Sequence, residues 1–387
     1  MDLKYESKIC KMLQNDSRDD EFLVSRMIFL ATYNTTLDLQ ELIDKHHLAE
    51  TICTNIGRYT IQYTTKQKRV KELNPMEDMA LTESLKLLFN ITHFCPQRNG
   101  HFSPALPHIL LLLVKRPISG KTPLDQVISP LVNSVINLNL DTRENLAIVF
   151  PKTLTDIHTD RLVEILDKST NAYSDEELDQ VLAPLLTLVR KVYALAPAEV
   201  QIRLQKTLLP SNDDRQQVLG KGSSLPSRLL RLCNNPSTPQ TRESVSSFLF
   251  ELSNKDATTF VHNVGYGFAA GFLFQHNVPI PENATDAWST SESSSSRTRE
   301  SQDSINARRV NPITGQFLNK EKEVPEVEMT EDEKEREAER LFVLFERYAS
   351  LPSSRYIWRM LSKTQVEEDW GNERGESGDQ GIPRGQV

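Results

Sequence analysis

The stretch SDEELDQVLAPLLTLVRKVYALAP, residues 174–197, decides the fold class, because its apolar residues recur at a helical period. From Leu178 to Val189 these residues stand three or four positions apart, which places them on one face of an α-helix. Ser174 and Glu177 have the spacing of a capping box at the helix start. Pro184 is expected to kink or divide the helix, since proline has no backbone N–H to donate.

The same periodicity continues on both sides of this stretch, from about residue 20 to residue 277. Two strand-like runs, IQYTT (61–65) and LAIVF (146–150), lie between helices without a hairpin partner. Strands that do not alternate with helices argue against a parallel sheet. We therefore predict successive helices at 21–32, 36–49, 79–92, 104–115, 123–138, 156–168, 174–197, 198–209, 223–233 and 238–254.

Helices of this length in succession predict an all-α fold, and we favour an armadillo/HEAT-like α-solenoid over residues 1–277. A compact helical bundle is the alternative. The serine-rich segment 278–310 has too few apolar residues to form a core and is predicted to be a flexible linker. A turn and an acidic amphipathic helix are predicted over 311–350, and a mostly disordered tail over 351–387.

Composition narrows the class of protein. The chain has 387 residues and a net charge of -8, which argues against a nucleic-acid partner. Its longest apolar run is too short to span a membrane, and its first residues lack the apolar core of a signal peptide. The four cysteines are scattered, as is typical of buried thiols in a reducing compartment. We expect a cytoplasmic monomer without direct membrane insertion, which is recruited at most to the cell cortex or plasma membrane.

The stretch VHNVGYGFAAGFLF, residues 261–274, resembles a dinucleotide-binding glycine turn. Such a turn requires a preceding β-strand, whereas here the preceding residues have a helical pattern. We interpret Gly265 as a left-handed helix C-cap and the following small residues as a corner where two helices approach closely. The sequence thus predicts no cofactor site, and we find no motif for catalysis or metal binding.

Polar residues on apolar helices are the candidate binding residues. Asparagine on a groove-lining helix of a solenoid can bind a peptide backbone, and lysine or arginine can add positive charge. The alternative interpretation is helix capping or simple solvation of these side chains. The candidates are Lys86, Asn90, Asn133, Asn137, Arg190 and Lys191.

A second candidate surface lies beyond the linker. Thr330 and Glu333 have the spacing of a capping box, and the helix predicted after them has an apolar stripe. Leu341, Phe342 and Phe345 are the candidate contact residues of this stripe. In the linker, Ser289 with Glu292 three positions later is a candidate phosphorylation site.

Three blocks of the chain resemble the synembryn family: LFNIT (88–92), FLFEL with GYGFAAGFL (248–252 and 265–273), and NPITG followed by MTEDEKEREAERLFVLFER (311–315 and 329–347). Members of that family are exchange factors and folding chaperones for heterotrimeric G-protein α subunits. Compared with its members, this chain is expected to lack several N-terminal repeats, and its linker has the sequence STSESSSSRTRESQDS in place of their acidic phosphorylatable cluster.

The resemblance implies an armadillo/HEAT superhelix whose concave surface captures the C-terminal helix of Gα, while residues 311–350 brace the GTPase domain. It implies GDP release and stabilisation of nucleotide-free Gα without covalent catalysis. A solenoid scaffold or adaptor that binds peptides or helices without exchange activity is the alternative.

Overall fold

The computed structural model describes residues 3–33, 38–64, 74–125, 127–279, 310–311 and 313–321, together with 336, 339 and 340. Its α-helices are α1 (Leu3–Leu13), α2 (Arg18–Ala31), α3 (Leu39–His46), α4 (Leu48–Arg58), α5 (Ile61–Thr64), α6 (Pro75–Phe94), α7 (Leu106–Lys115), α8 (Ile128–Ile136), α9 (Arg143–Val149), α10 (Ile157–Ala172), α11 (Asp175–Leu195), α12 (Ala198–Leu208), α13 (Leu225–Cys233), α14 (Pro239–Leu252), α15 (Ala257–Val264) and α16 (Tyr266–Gln275). Short 3₁₀ helices span Pro96–Ala105, Asp214–Gln216 and Leu318–Lys320.

The helices stack in two layers. In the first layer α2, α6, α8, α11 and α14 pack one on the next, and in the second layer α4, α7, α10 and α13 do the same. Successive helices of the two layers pair as α7 with α8, α10 with α11, and α13 with α14. One continuous hydrophobic core runs from Cys10 to Leu273. The predicted all-α class is confirmed, and helix pairs stacked on a shared core form an α-solenoid.

Polar caps fix where the helices begin. Asn74 and Glu77 form a reciprocal capping box at the start of α6, with bonds of 2.8 and 2.9 Å. At the start of α11 the Glu177 carboxylate accepts hydrogen bonds from the backbone N–H and the hydroxyl of Ser174, at 2.9 and 2.8 Å. These bonds satisfy groups that the first turn of a helix otherwise leaves unpaired.

Pro184 is predicted to kink or divide the helix; α11 continues through it without interruption, so division is wrong. A proline inside a helix costs about 3 kcal/mol or more. Leu182, Leu185 and Leu186 are completely buried around it. Burial of each leucine contributes roughly 1.5–3 kcal/mol, which offsets the lost hydrogen bond.

The two strand candidates are helical in the described residues. Ile61–Thr64 forms α5, and the run 146–149 is the second half of α9, whose start is capped by Thr142 accepting from the Asn145 N–H at 3.2 Å. The predicted segment 36–49 is also divided, since α3 ends at His46 and α4 begins at Leu48. His47 joins them with φ of 51°. At 61–64 and 146–149, helix capping and packing override the preference of these residues for β-strands.

The compact helical unit extends to Glu321 and therefore includes the first residues of the segment predicted over 311–350. A second unit comprises Lys322–Val387, in which Arg336, Glu339 and Arg340 are helical. The predicted contact residues Leu341, Phe342 and Phe345 and the predicted phosphorylation site Ser289 lie outside the described residues. Among the described helices, none combines the length and the apolar character needed to cross a membrane.

Candidate partner-binding layer

The candidate residues on the helical unit fall on neighbouring helices of the first layer. Lys86 and Asn90 lie on α6, Arg190 and Lys191 lie on α11, and Asn133 lies on α8, with Asn137 as its C-cap. Stacking brings each of them into contact with residues 48 to 61 positions away in the sequence, except Asn133 and Lys86. The structure also shows what each side chain contacts inside the layer.

Asn90 joins α6 to the end of α2. Its side-chain nitrogen donates to the Thr32 hydroxyl at 2.8 Å, and its Oδ1 accepts from the Tyr33 hydroxyl at 3.4 Å. The residue is only 4% exposed. Both ends of the Asn90 amide are therefore used within the helical unit, as buried polar groups require. Its predicted role in binding a partner remains a prediction.

Asn137 joins α8 to α6 in a similar way. Its side-chain nitrogen donates to the main-chain oxygen of Phe89 at 3.2 Å, and its own main-chain oxygen accepts from Asn99 Nδ2 at 2.6 Å. Asn133, one turn earlier, has a buried Oδ1 that accepts no hydrogen bond within the described residues. Of the candidate asparagines, Asn133 is thus the one whose side-chain oxygen is buried without a hydrogen bond from the described residues.

Lys191 joins α11 to α8. Its ammonium donates to the main-chain oxygens of Ile136 and Leu138 at 2.7 and 2.6 Å. These oxygens lie at the C-terminal end of α8, where the helix dipole attracts a cation. Burial lowers the pKa of Lys191, and the charge of Asp141 opposes that shift.

Arg190 joins α11 to α14. Its guanidinium donates to both carboxylate oxygens of Glu251, at 2.7 and 3.1 Å. The hydrogen bond with Glu251 raises the pKa of Arg190, and burial opposes this. Each neighbouring pair of first-layer helices from α2 to α14 is thus connected by one of the predicted side chains.

A cleft of about 530 Å³ opens along α2 and α6, and its walls carry both charged and apolar groups. The Glu83 carboxylate is shared by Lys86 at 2.9 Å and by Arg26 at 3.4 Å. A second carboxylate, Asp78, pairs with Arg116. Within the lining, two cations, Arg26 and Lys86, therefore balance two carboxylates, while Arg116 lies outside it. The cleft is lined by Phe22, Arg26, Pro75, Asp78, Met79, Thr82, Glu83, Lys86 and Val127.

Exposed aromatic rings lie at the C-terminal ends of the same two helices. The rings of Tyr33 and Phe94 stand 6.1 Å apart, edge to face, and are 48% and 46% exposed. Phe29 and His93 extend the group, at 5.5 Å from Tyr33 and 5.1 Å from Phe94. Sequence reasoning missed this cluster and Arg26, because Tyr33 and Phe94 belong to different helices and a single arginine forms no motif.

Residues 265–270 form a corner between α15 and α16, as predicted. Backbone atoms from a later part of the chain occupy the space beside Gly265 and Gly267. Gly265 has φ of 84° and ψ of 150°, a conformation available essentially to glycine alone. The predicted left-handed helical C-cap is therefore wrong in ψ. The Gly267 N–H donates to the main-chain oxygen of Ile313 at 3.3 Å. The backbone of Ile313 and Gly315, rather than a second helix, approaches these glycines.

Comparison of the sequence with known proteins identifies the family of this chain. Residues 1–366 match the sequence model of the family described as "Guanine nucleotide exchange factor synembryn". A synembryn-like chaperone of Schizosaccharomyces pombe is 29% identical over 363 residues, covering 89% of this chain and 65% of that protein. The chaperone Ric-8A of Xenopus tropicalis is 24% identical over 357 residues, and that of Danio rerio 27% over 293. This chain covers 63% and 52% of their lengths. The chain belongs to the synembryn family.

Proposed function

We propose that this chain is a guanine-nucleotide exchange factor and folding chaperone for the α subunit of heterotrimeric G proteins. The observation that carries the proposal is the match of residues 1–366 to the family of that description. The relatives named above are called chaperones. A solenoid suits this work, because stacked helix pairs offer a long surface to a partner that is only partly folded.

The cleft between α2 and α6 supports the proposal by its chemistry. Arg26 and Lys86 have side chains that are 52% and 41% exposed, whereas the Glu83 carboxylate that they share is 5% exposed, so the cations face an incoming acidic segment. The exposed side chain of Met79 favours an apolar stripe. An amphipathic helix with acidic residues presents both, and grooves commonly bind such helices. The C-terminal helix of Gα, which the family resemblance implies, is the proposed occupant.

Exchange in this proposal is a matter of binding and needs no covalent step by this chain. A protein that binds nucleotide-free Gα more tightly than GDP-bound Gα shifts the equilibrium toward GDP release.

Burial raises the pKa of the thiols of Cys53 and Cys233 to about 12. Such thiols are poor nucleophiles at neutral pH. A cytoplasmic location belongs to the same proposal.

The test uses the full chain with purified, GDP-loaded Gα and follows GDP release. We expect faster release and a stable complex when free nucleotide is removed. The charge reversal Arg26→Glu should slow release by about tenfold, because opposed charges in a docking cleft become like charges. Arg203→Glu is the matched control, since Arg203 lies on α12 outside the first layer.

Two outcomes would contradict the proposal. No acceleration of GDP release together with no nucleotide-free complex would remove the exchange function. Equal affinity for GDP-bound and nucleotide-free Gα would instead favour the scaffold alternative.

A further inference from the structure

Residues 310–321, here called the clasp, fold into a tight turn against the end of the helical unit; Pro312 alone lies outside the description. Val310 and Phe317 form an antiparallel bridge. The Asn311 N–H donates to the Gln316 oxygen at 2.7 Å, and the Gly315 N–H donates to the Asn311 oxygen at 2.8 Å. The Asn311 side chain accepts from the Ile313 N–H at 2.8 Å. The turn is thus held by its own backbone and by one asparagine.

Main-chain hydrogen bonds attach the clasp to three separate places in the helical unit. The Leu219 N–H donates to the Thr314 oxygen at 3.1 Å, and the Phe317 N–H donates to the Arg215 oxygen at 2.9 Å. The Gly267 N–H reaches the Ile313 oxygen, as described above. Segments that lie about 50 and 100 residues earlier in the chain therefore share the clasp as a common partner.

The Arg215 guanidinium lies at the centre of this junction, and its residue is only 5% exposed. It donates to the Gly315 oxygen of the clasp at 3.0 Å. It also donates to the main-chain oxygens of His262 and Asn263, at 3.0 and 2.9 Å. One rigid fork of N–H groups thus ties the clasp to the end of α15.

The partners of Arg215 are neutral carbonyl groups, and two of them belong to the last turn of α15. Carbonyls at a helix C-terminus carry the negative end of the helix dipole and stabilise a cation. Burial lowers the pKa of Arg215, which the charge of Asp214 opposes. A buried cation is tolerated only where its donors are satisfied, so this site favours the seated clasp over an open junction.

We infer that Arg215 is a positioning residue: it locks the clasp onto the helical unit, and the locked clasp is required for efficient nucleotide exchange. The requirement rests on the proposed function. The predicted brace for Gα spans residues 311–350, and its residues after Glu321 follow the clasp directly. With the clasp seated, they begin from a fixed point on the helical unit. With the clasp released, they are tethered through the predicted linker 278–310, and their effective concentration at the partner falls.

The test compares the full-length variants Arg215→Met and Arg215→Lys with the control Arg203→Met, whose arginine side chain is 54% exposed. Amide hydrogen exchange is measured at Leu219, Gly267 and Phe317. We expect exchange at these amides to rise by about tenfold or more in Arg215→Met. Arg215→Lys should give an intermediate effect, because a single ammonium cannot reproduce the planar fork. Amides of α6 should not change.

The functional half of the test separates positioning from general unfolding. GDP release from Gα should slow in Arg215→Met, while affinity for a peptide of the Gα C-terminal helix should match that of the wild type. Loss of both activities would show unfolding and overturn the inference. Unchanged amide exchange would overturn it as well, and so would faster amide exchange with normal GDP release.

GDP release by the wild-type chain distinguishes a failure of the proposed function from a failure of the inference about Arg215. If the wild-type chain does not release GDP from Gα at all, the proposed function fails, and with it the required role of the clasp in exchange. The amide measurements would then still decide whether Arg215 locks the clasp, because they need no partner.

Discussion

Both ends of the helical unit are built around a buried charge, but the two charges are stabilised by different groups. Near the N-terminal end, Glu21 is completely buried and accepts from the Tyr59 and Ser84 hydroxyls, both at 2.9 Å. Arg18 and Arg58 stand 3.2 and 3.6 Å from its carboxylate. At the other end, the partners of the Arg215 guanidinium among the described residues are main-chain oxygens. One site is thus made of side chains and the other of backbone.

The difference matters for what each site can tolerate. The partners of Glu21 are encoded at fixed positions, and each can be removed by substitution. The partners of Arg215 exist whatever the side chains of His262, Asn263 and Gly315 are, provided that the backbone follows the same path. The first site therefore depends on residue identity, and the second depends on the fold.

The largest effect is expected from Glu21→Ala. The substitution leaves two arginines and the Tyr59 hydroxyl without their shared acceptor, and breaking such a buried pair costs about 3–5 kcal/mol. We expect a loss near the lower value, because Arg18 and Arg58 retain some contact with water. Urea unfolding measures it, with the exposed Glu199→Ala as control. A loss below about 1 kcal/mol would mean that water replaces the carboxylate.

A smaller effect is expected from Gly315→Ala in the clasp. Gly315 has φ of 66°, and an added Cβ would collide with the Leu219 side chain. We expect a loss of about 1–3 kcal/mol, concentrated in the hydrogen exchange of the clasp amides. Gly271→Ala is the matched control: it lies within α16 and a Cβ there meets open space. That change should stabilise by roughly 0.5–1 kcal/mol. Equal effects on stability at both glycines would contradict the conclusion that the Arg215 site depends on the path of the clasp backbone.

The smallest effect concerns pH, at the aspartate beside Arg215. Burial opposes ionisation of Asp214, but hydrogen bonds from Ser224 and Ser211 outweigh it and lower its pKa. A lowered pKa in the folded state gives stability that is present above about pH 4, the unfolded value, and is lost as the pH falls through the folded value. Asp214→Asn should flatten the stability curve below about pH 4, where the wild type loses this contribution.

The exposed Asp213→Asn serves as the control for that measurement, since it changes the same charge one residue away. Unfolding midpoints are compared at each pH. If the two variants show the same slope, the hydrogen bonds to Asp214 do not contribute to acid stability.

The candidate binding residues show where sequence reasoning succeeds and where it stops. The pattern identified asparagines and basic residues on apolar helices, and the structure places all of them on the first layer. It could not show that Asn90, Asn137, Lys191 and Arg190 contact the next helix of that layer, because their partners are Thr32, three main-chain oxygens and Glu251. Every residue has a main-chain oxygen, so the residue type does not show which one accepts a hydrogen bond.

The amino-acid sequence by itself determined the helices, since apolar periodicity and capping residues are local properties. It also carried the family resemblance, in blocks such as NPITG at 311–315. The tertiary structure alone decided that this block closes the helical unit over Gly265 and Gly267, and that Arg215 holds it there. The reason is physical: helix formation depends on neighbours three or four residues away, whereas the clasp depends on carbonyl groups brought together from about 50 and 100 residues apart.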